Sequence, residues 1–182
     1  MKFVSYDIVF QEIPGEVTLA INISNCPNRC KGCHSPHLQE DSGEELTENV
    51  LCDLLNNYGD AVTCVCFMGG DDSPENVVRL AKLARQFHKK TAWYSGNSLI
   101  YENAQQHFDY IKLGKYIEKL GGLDCATTNQ RFYRIVNTTM IDMTEQFYKQ
   151  SDNSKINERK TRITVYPNPF ADIAQRGLYV EI

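Results

Sequence analysis

Strand-length apolar runs along this chain alternate with stretches in which apolar residues recur at helical spacing. Thr18–Ile23 reads as a buried strand, and residues 61–67 form a continuous apolar run of strand length. Residues 91–94 and 108–113 supply two more strands. Between them, Val50, Leu51, Leu54, Leu55 and Tyr58 make one helical face behind Thr47, a suitable N-cap, with Glu48 in the favourable first turn. A second helix opens at Ser73-Pro74, serine capping and proline at the first helical position, and turns Val77, Val78, Leu80, Ala81, Ala84 and Phe87 inward. A poorer helical stretch runs over about 99–106. Residues 3–10 alternate imperfectly, as an edge or covering strand would, and Ile13-Pro-Gly-Glu16 is a turn. Residues 115–131 are irregular, and 132–136 and 140–143 look like two short strands around a turn at Asn137. Repeated βα units predict right-handed crossovers and a mostly parallel sheet. The chain is too short for eight such units, so the expected fold is α/β, an open, incomplete (βα) barrel.

The polar stretch over 150–160 reads as a linker, so residues 149–182 are expected to form a polar linker and a C-terminal tail. Within the tail, 162–166 and 178–182 suggest a hairpin. In parallel sheets, chemistry gathers at the C-terminal strand ends. This rule brings three connections to one rim: the loop after 18–23, Gly69-Gly70-Asp71 after 61–67, and Ser95-Gly96 after 91–94.

Charge excludes some functions. Lys and Arg number 19 against 23 Asp and Glu, a net −4, with no basic stripe, so neither a nucleic acid nor a membrane surface is an expected partner. No run of about 18 apolar residues exists to span a bilayer. The opening residues carry no apolar stretch of signal-peptide length, so a cytoplasmic location is expected.

Seven cysteines without a secretion signal point to metal binding or free thiols rather than disulfides. Cys26, Cys30 and Cys33 fall within eight positions of one loop, at spacings x3 and x2. Three thiolates from one loop suit three corners of a cubane [4Fe-4S] cluster, leaving one iron open to a substrate. The competing reading is a zinc knuckle completed by His34 or His37. Cys64 and Cys66 share one strand face and read as buried core thiols. Cys52 and Cys125 read as incidental. Gly69-Gly70-Asp71 reads either as a plain βα turn or as a place where backbone and a carboxylate approach a ligand. His34 and His37 read as loop residues that pack, or as acid–base or metal groups. Ser95 is a turn former or a ligand contact.

The Cys-x3-Cys-x2-Cys spacing after an early strand resembles the signature of radical S-adenosylmethionine enzymes. Within that superfamily, "NCPNRCKGCHSPHL", "CFMGGDDSPENV", "TAWYSG" and "FDYIKLGKYIEKLGGLDCATTNQRFYRI" are similar to the activating proteins of anaerobic ribonucleoside-triphosphate reductases, over residues 1–148. The resemblance implies the incomplete barrel of the superfamily, a cluster on Cys26, Cys30 and Cys33, and an S-adenosylmethionine pocket lined by Gly32, Cys33, His34, Gly69, Gly70 and Asp71. Two features mark the subgroup: Gly-Gly-Asp where the superfamily usually has Gly-Gly-Glu, and Gly32 where an aromatic often stands. The implied chemistry is reductive cleavage of S-adenosylmethionine to make a glycyl radical on the reductase's large subunit. A low-potential donor such as a flavodoxin would supply the electron. Asn129-Gln130-Arg131 would shape the mouth that faces this partner. The alternatives are a radical S-adenosylmethionine enzyme acting on another glycyl-radical enzyme or a small molecule, and a non-catalytic zinc or iron–sulfur module.

Overall fold

A computed structural model describes residues 1–148 and, for the backbone alone, 162–165. The linker over 150–160 and the second tail strand at 178–182 lie outside the described residues. Four parallel strands form the middle of the sheet: β2 (Thr18–Ile23), β4 (Cys64–Met68), β5 (Lys90–Tyr94) and β6 (Tyr110–Leu113). Strand β1 (Lys2–Val9) runs antiparallel to β2. The short β3 (Glu44–Glu45) and β9 (Arg162–Val165) both pair with the far side of β1. Beyond β6, β7 (Arg131–Val136) and β8 (Thr139–Asp142) form an antiparallel hairpin that closes the series.

The expected mostly parallel incomplete barrel of the radical S-adenosylmethionine type is therefore corrected. Five strand pairings are antiparallel and three parallel, and the described residues contain two α-helices: α1 (Glu48–Tyr58) and α2 (Pro74–Gln86). The reasons are local. Only eight residues join β1 to β2, enough for an antiparallel return and too few for a crossover. The expected helix over 99–106 is a 3-10 turn at Ala104–Gln106, preceded by Asn103 in the left-handed region (φ 59°), so no third helical crossover forms. Asn137 and Thr138 both have positive φ, which suits the tight turn that folds β8 back on β7.

Local expectations fare better for the two helices. Thr47 Oγ1 accepts from Val50 N at 3.3 Å and caps α1. Ser73 precedes Pro74 at the start of α2, but its side chain makes no capping bond. Both helices cover one sheet face. Leu51, Leu54 and Leu55 of α1 and Val77, Leu80, Ala81 and Ala84 of α2 pack there on Leu19, Ile21, Ile23, Val65, Phe67, Trp93 and Ile111. Side chains alternate along each strand. The opposite face therefore carries Ala20 and Asn22, Cys64, Cys66 and Met68, Ala92 and Tyr94, then Tyr110 and Lys112. Left uncovered by helix, that face becomes the floor of a cavity.

Candidate metal centre

The cysteine loop leaves the C-terminal end of β2. Its neck is closed by backbone bonds from Asn25 N to Glu40 O (3.0 Å) and Cys26 N to Leu38 O (3.0 Å), with Ser24 Oγ donating to Ser42 O (2.6 Å). Asn25, Arg29 and Gly32 all have positive φ, which curls the chain tightly between the cysteines. Cys33 N donates to Cys30 O (3.3 Å), and Ser35 N points at Cys33 Sγ (3.4 Å). Burial pushes the Cys26 thiol up, while backbone N–H groups of Asn28 and Arg29 pull it down in part and the Asp71 charge adds to the rise.

Cys26, Cys30 and Cys33 line one cavity of about 570 Å³, within the range of small-molecule sites. His34, Gly69 and Asp71 line it too, as do Asn28, Gly96, Lys112 and Gln130. Gly32 and Gly70 are not among the lining residues. A Cβ on Gly32 would meet Tyr116 and Glu118 at ordinary contact distance, whereas one on Gly70 would meet Val77 Cγ2 at 2.5 Å, in the core. His34 stands edge-on to Tyr116 with ring centroids 5.4 Å apart. His37 is exposed on a 3-10 turn, outside the cavity wall. Gln130 Nε2 donates to Gly114 O (3.2 Å), while Asn129 and Arg131 bond to neighbouring backbone. Cys64 and Cys66 are fully buried, and burial pushes both thiols up, so they sit as inert core groups.

Asp71 joins the rim. Its Oδ1 accepts from Ser95 Oγ (2.6 Å), and its Oδ2 accepts from Gly96 N (2.7 Å) and Asn28 Nδ2 (2.9 Å). Asn25 Nδ2 adds a parallel tie to Asp72 Oδ2 (2.9 Å). The turn after β4 thus holds both the cysteine loop and the exit of β5. Asn28 carried no signal in the sequence beyond tolerance of a turn. We expect Asp71→Ala to cost about 3 kcal/mol, since several bonds to one charged acceptor are lost together. Amides 26–33 should then exchange faster with solvent. Wild-type exchange there would remove Asp71 as the organiser of the loop.

Lys112 was hidden in an apolar strand. Its signal was a lysine breaking the run Tyr110-Ile-Lys-Leu113, where parity places it opposite Ile111 and Leu113. Its Nζ donates to Gly114 O (2.7 Å). Desolvation pushes its pKa down to about 8, against an upward pull from Asp71 and the three cysteines.

Among the described residues, no three His, Cys, Asp or Glu side chains converge on a point that would hold one metal ion. A tetrahedral zinc site needs such convergence. A cubane does not, because each thiolate takes a different iron. Three cysteines on one curled loop, with backbone N–H groups aimed at sulfur and a cavity beside them, fit an iron–sulfur cluster. That chemistry defines an iron–sulfur protein. The chain belongs to the 4Fe-4S single cluster domain family, whose model matches residues 14–120, more than half of its length. No curated protein and no solved structure matches it. No helix among the described residues is long and apolar enough to cross a membrane.

Proposed function

We propose that this chain is a radical S-adenosylmethionine activase that makes a glycyl radical on an anaerobic ribonucleoside-triphosphate reductase. The observation that carries the reading is a loop offering three thiolates, not four, at the wall of a cavity large enough for a small molecule. When bound, the cluster would supply the electron that breaks the sulfonium carbon–sulfur bond, giving methionine and a 5′-deoxyadenosyl radical. Everything else falls to the chain's own groups. Cys26, Cys30 and Cys33 would hold three irons and leave the fourth for the substrate's amino and carboxylate groups. Gly69 has φ 107°, and a Cβ there would press on Ile23 O at 3.1 Å, so only glycine lets this strand end come close.

Asp71 would orient the substrate ammonium. A carboxylate offers about four lone-pair sites, and three are taken by Ser95, Gly96 and Asn28. One acceptor site, held still by the other three, is left for a cation. His34, exposed at the cavity wall against Tyr116, would pack on the nucleoside end.

The test is anaerobic incubation of the reconstituted chain with dithionite, S-adenosylmethionine and the reductase's large subunit. A glycyl doublet by electron paramagnetic resonance, with one 5′-deoxyadenosine formed per radical, is the expected result. Cleavage without a doublet would move the chain to another glycyl-radical enzyme or a small-molecule substrate. An intact cluster with no cleavage would leave a non-catalytic iron–sulfur module.

A further inference from the structure

Three features meet at Lys112. It sits on β6 at the rim, on the face away from both helices, and it lines the same cavity as Cys26, Cys30 and Cys33. Its neighbours Ile111 and Leu113 anchor the strand in the core, so the backbone that carries it is fixed. Its ammonium is steered by a single short bond to Gly114 O, a carbonyl that Gln130 also engages. Lys115, the other lysine on the wall, is exposed and screened by water.

We infer that Lys112 is a positioned countercharge for the cluster, stabilising its reduced form and setting its reduction potential. The inference rests on the reading that Cys26, Cys30 and Cys33 are the ligands. Three thiolates on a [4Fe-4S]2+ core carry a net single negative charge, and one-electron reduction doubles it. A cation held in a partly desolvated wall interacts with that added charge far more strongly than one in water. Net charge and hydrogen bonding around a cluster are the protein's main means of setting its potential.

The experiment compares the full-length reconstituted chain with Lys112→Met, Lys112→Gln and Lys112→Arg in redox titrations at pH 7, followed by electron paramagnetic resonance. Iron and sulfide are measured first. A wild-type chain without them defeats the ligand assignment, before any potential is read. With the cluster present, the Met and Gln variants should be harder to reduce by at least tenfold in the equilibrium, about 59 mV for one electron. The Arg variant should stay near wild type, because it keeps the charge. Wild-type potentials in the neutral variants would overturn the inference. Equal shifts in all three would overturn it as well, since packing rather than charge would then be at work. Neutral variants that fold but take up no iron, beside an Arg variant that does, would make Lys112 an assembly residue and also overturn it.

Discussion

Alanine at Cys26, Cys30 or Cys33 is expected to leave the anaerobically reconstituted chain without its cluster, so that iron and acid-labile sulfide fall from four of each per chain to background. This is the largest effect foreseen, and it separates these three from the other four cysteines. All three face the cavity from one loop. Cys64 and Cys66 are sealed beneath it in β4, where Cys66 Sγ lies 3.4 Å from Met68 Sδ. Cys52 is on α1, and Cys125 is packed against Gly121, outside the cavity wall. Alanine at those four should keep the full iron and sulfide content. If these three are the chain's ligands, as proposed, loss of one would leave two, too few to hold four irons in place. A fourth cysteine whose replacement also empties the chain would close the open iron and remove the basis for substrate binding there.

Valine at Gly70 should unfold the domain more readily rather than merely obstruct a ligand. The sequence alone suggests that a branched side chain there would leave the cluster intact and hinder S-adenosylmethionine. The structure turns the missing side chain inward. A Cβ would lie 2.5 Å from Val77 Cγ2 on α2, 3.2 Å from Met1 Sδ and 3.3 Å from Ile23 Cδ1. Gly70 also has φ 85°, which a β-branched residue adopts only under strain. Overpacking and backbone strain together amount to on the order of 4 kcal/mol. Denaturant unfolding of the metal-free chain measures this directly. A midpoint equal to wild type would mean that the turn after β4 rearranges without cost and that α2 does not press on it.

How far the sequence could be read depends on the range of the forces involved. Thr47 and Pro74 mark the helix starts because capping and ring geometry act within one turn. The apolar run over 61–67 marks β4, which forms at Cys64–Met68, because full burial of residues 64–67 leaves no polar position there; Ala61 and Thr63 are exposed ahead of the strand. Asn137 marks the hairpin because few residues accept its backbone angles. The sense of the sheet is a different kind of information. It depends on how far each connection must travel, and the short 10–17 return at one side and the tight Asn137-Thr138 turn at the other decide it against a mostly parallel barrel. At the site, the cysteine spacing was legible because ligands cluster along the chain. Asn28 and Lys112 were not, because each is placed by elements far off in the chain: Asn28 by its bond to Asp71, Lys112 by the cavity that it shares with the cysteine loop. Asp71 could be singled out as a carboxylate at a strand end, but not as the acceptor joining three loops.

The closed neck of the cysteine loop bears on what happens when oxygen destroys the cluster. In a small zinc module the metal's binding energy is the folding energy, and a chelator unravels the chain. Here the ends of the loop are stitched by Asn25, Cys26 and Ser24, Asn25 is also tied to Asp72, and Asn28 within the loop is moored to Asp71. None of those bonds involves a cysteine side chain hydrogen-bonding across the loop. Much of the ordering entropy of the loop is thereby met by the polypeptide. With those bonds independent of the cysteine side chains, the chain stripped of iron is expected to keep a socket of nearly finished shape, so that repair after oxidative damage would be a matter of re-delivering iron and sulfide rather than of refolding.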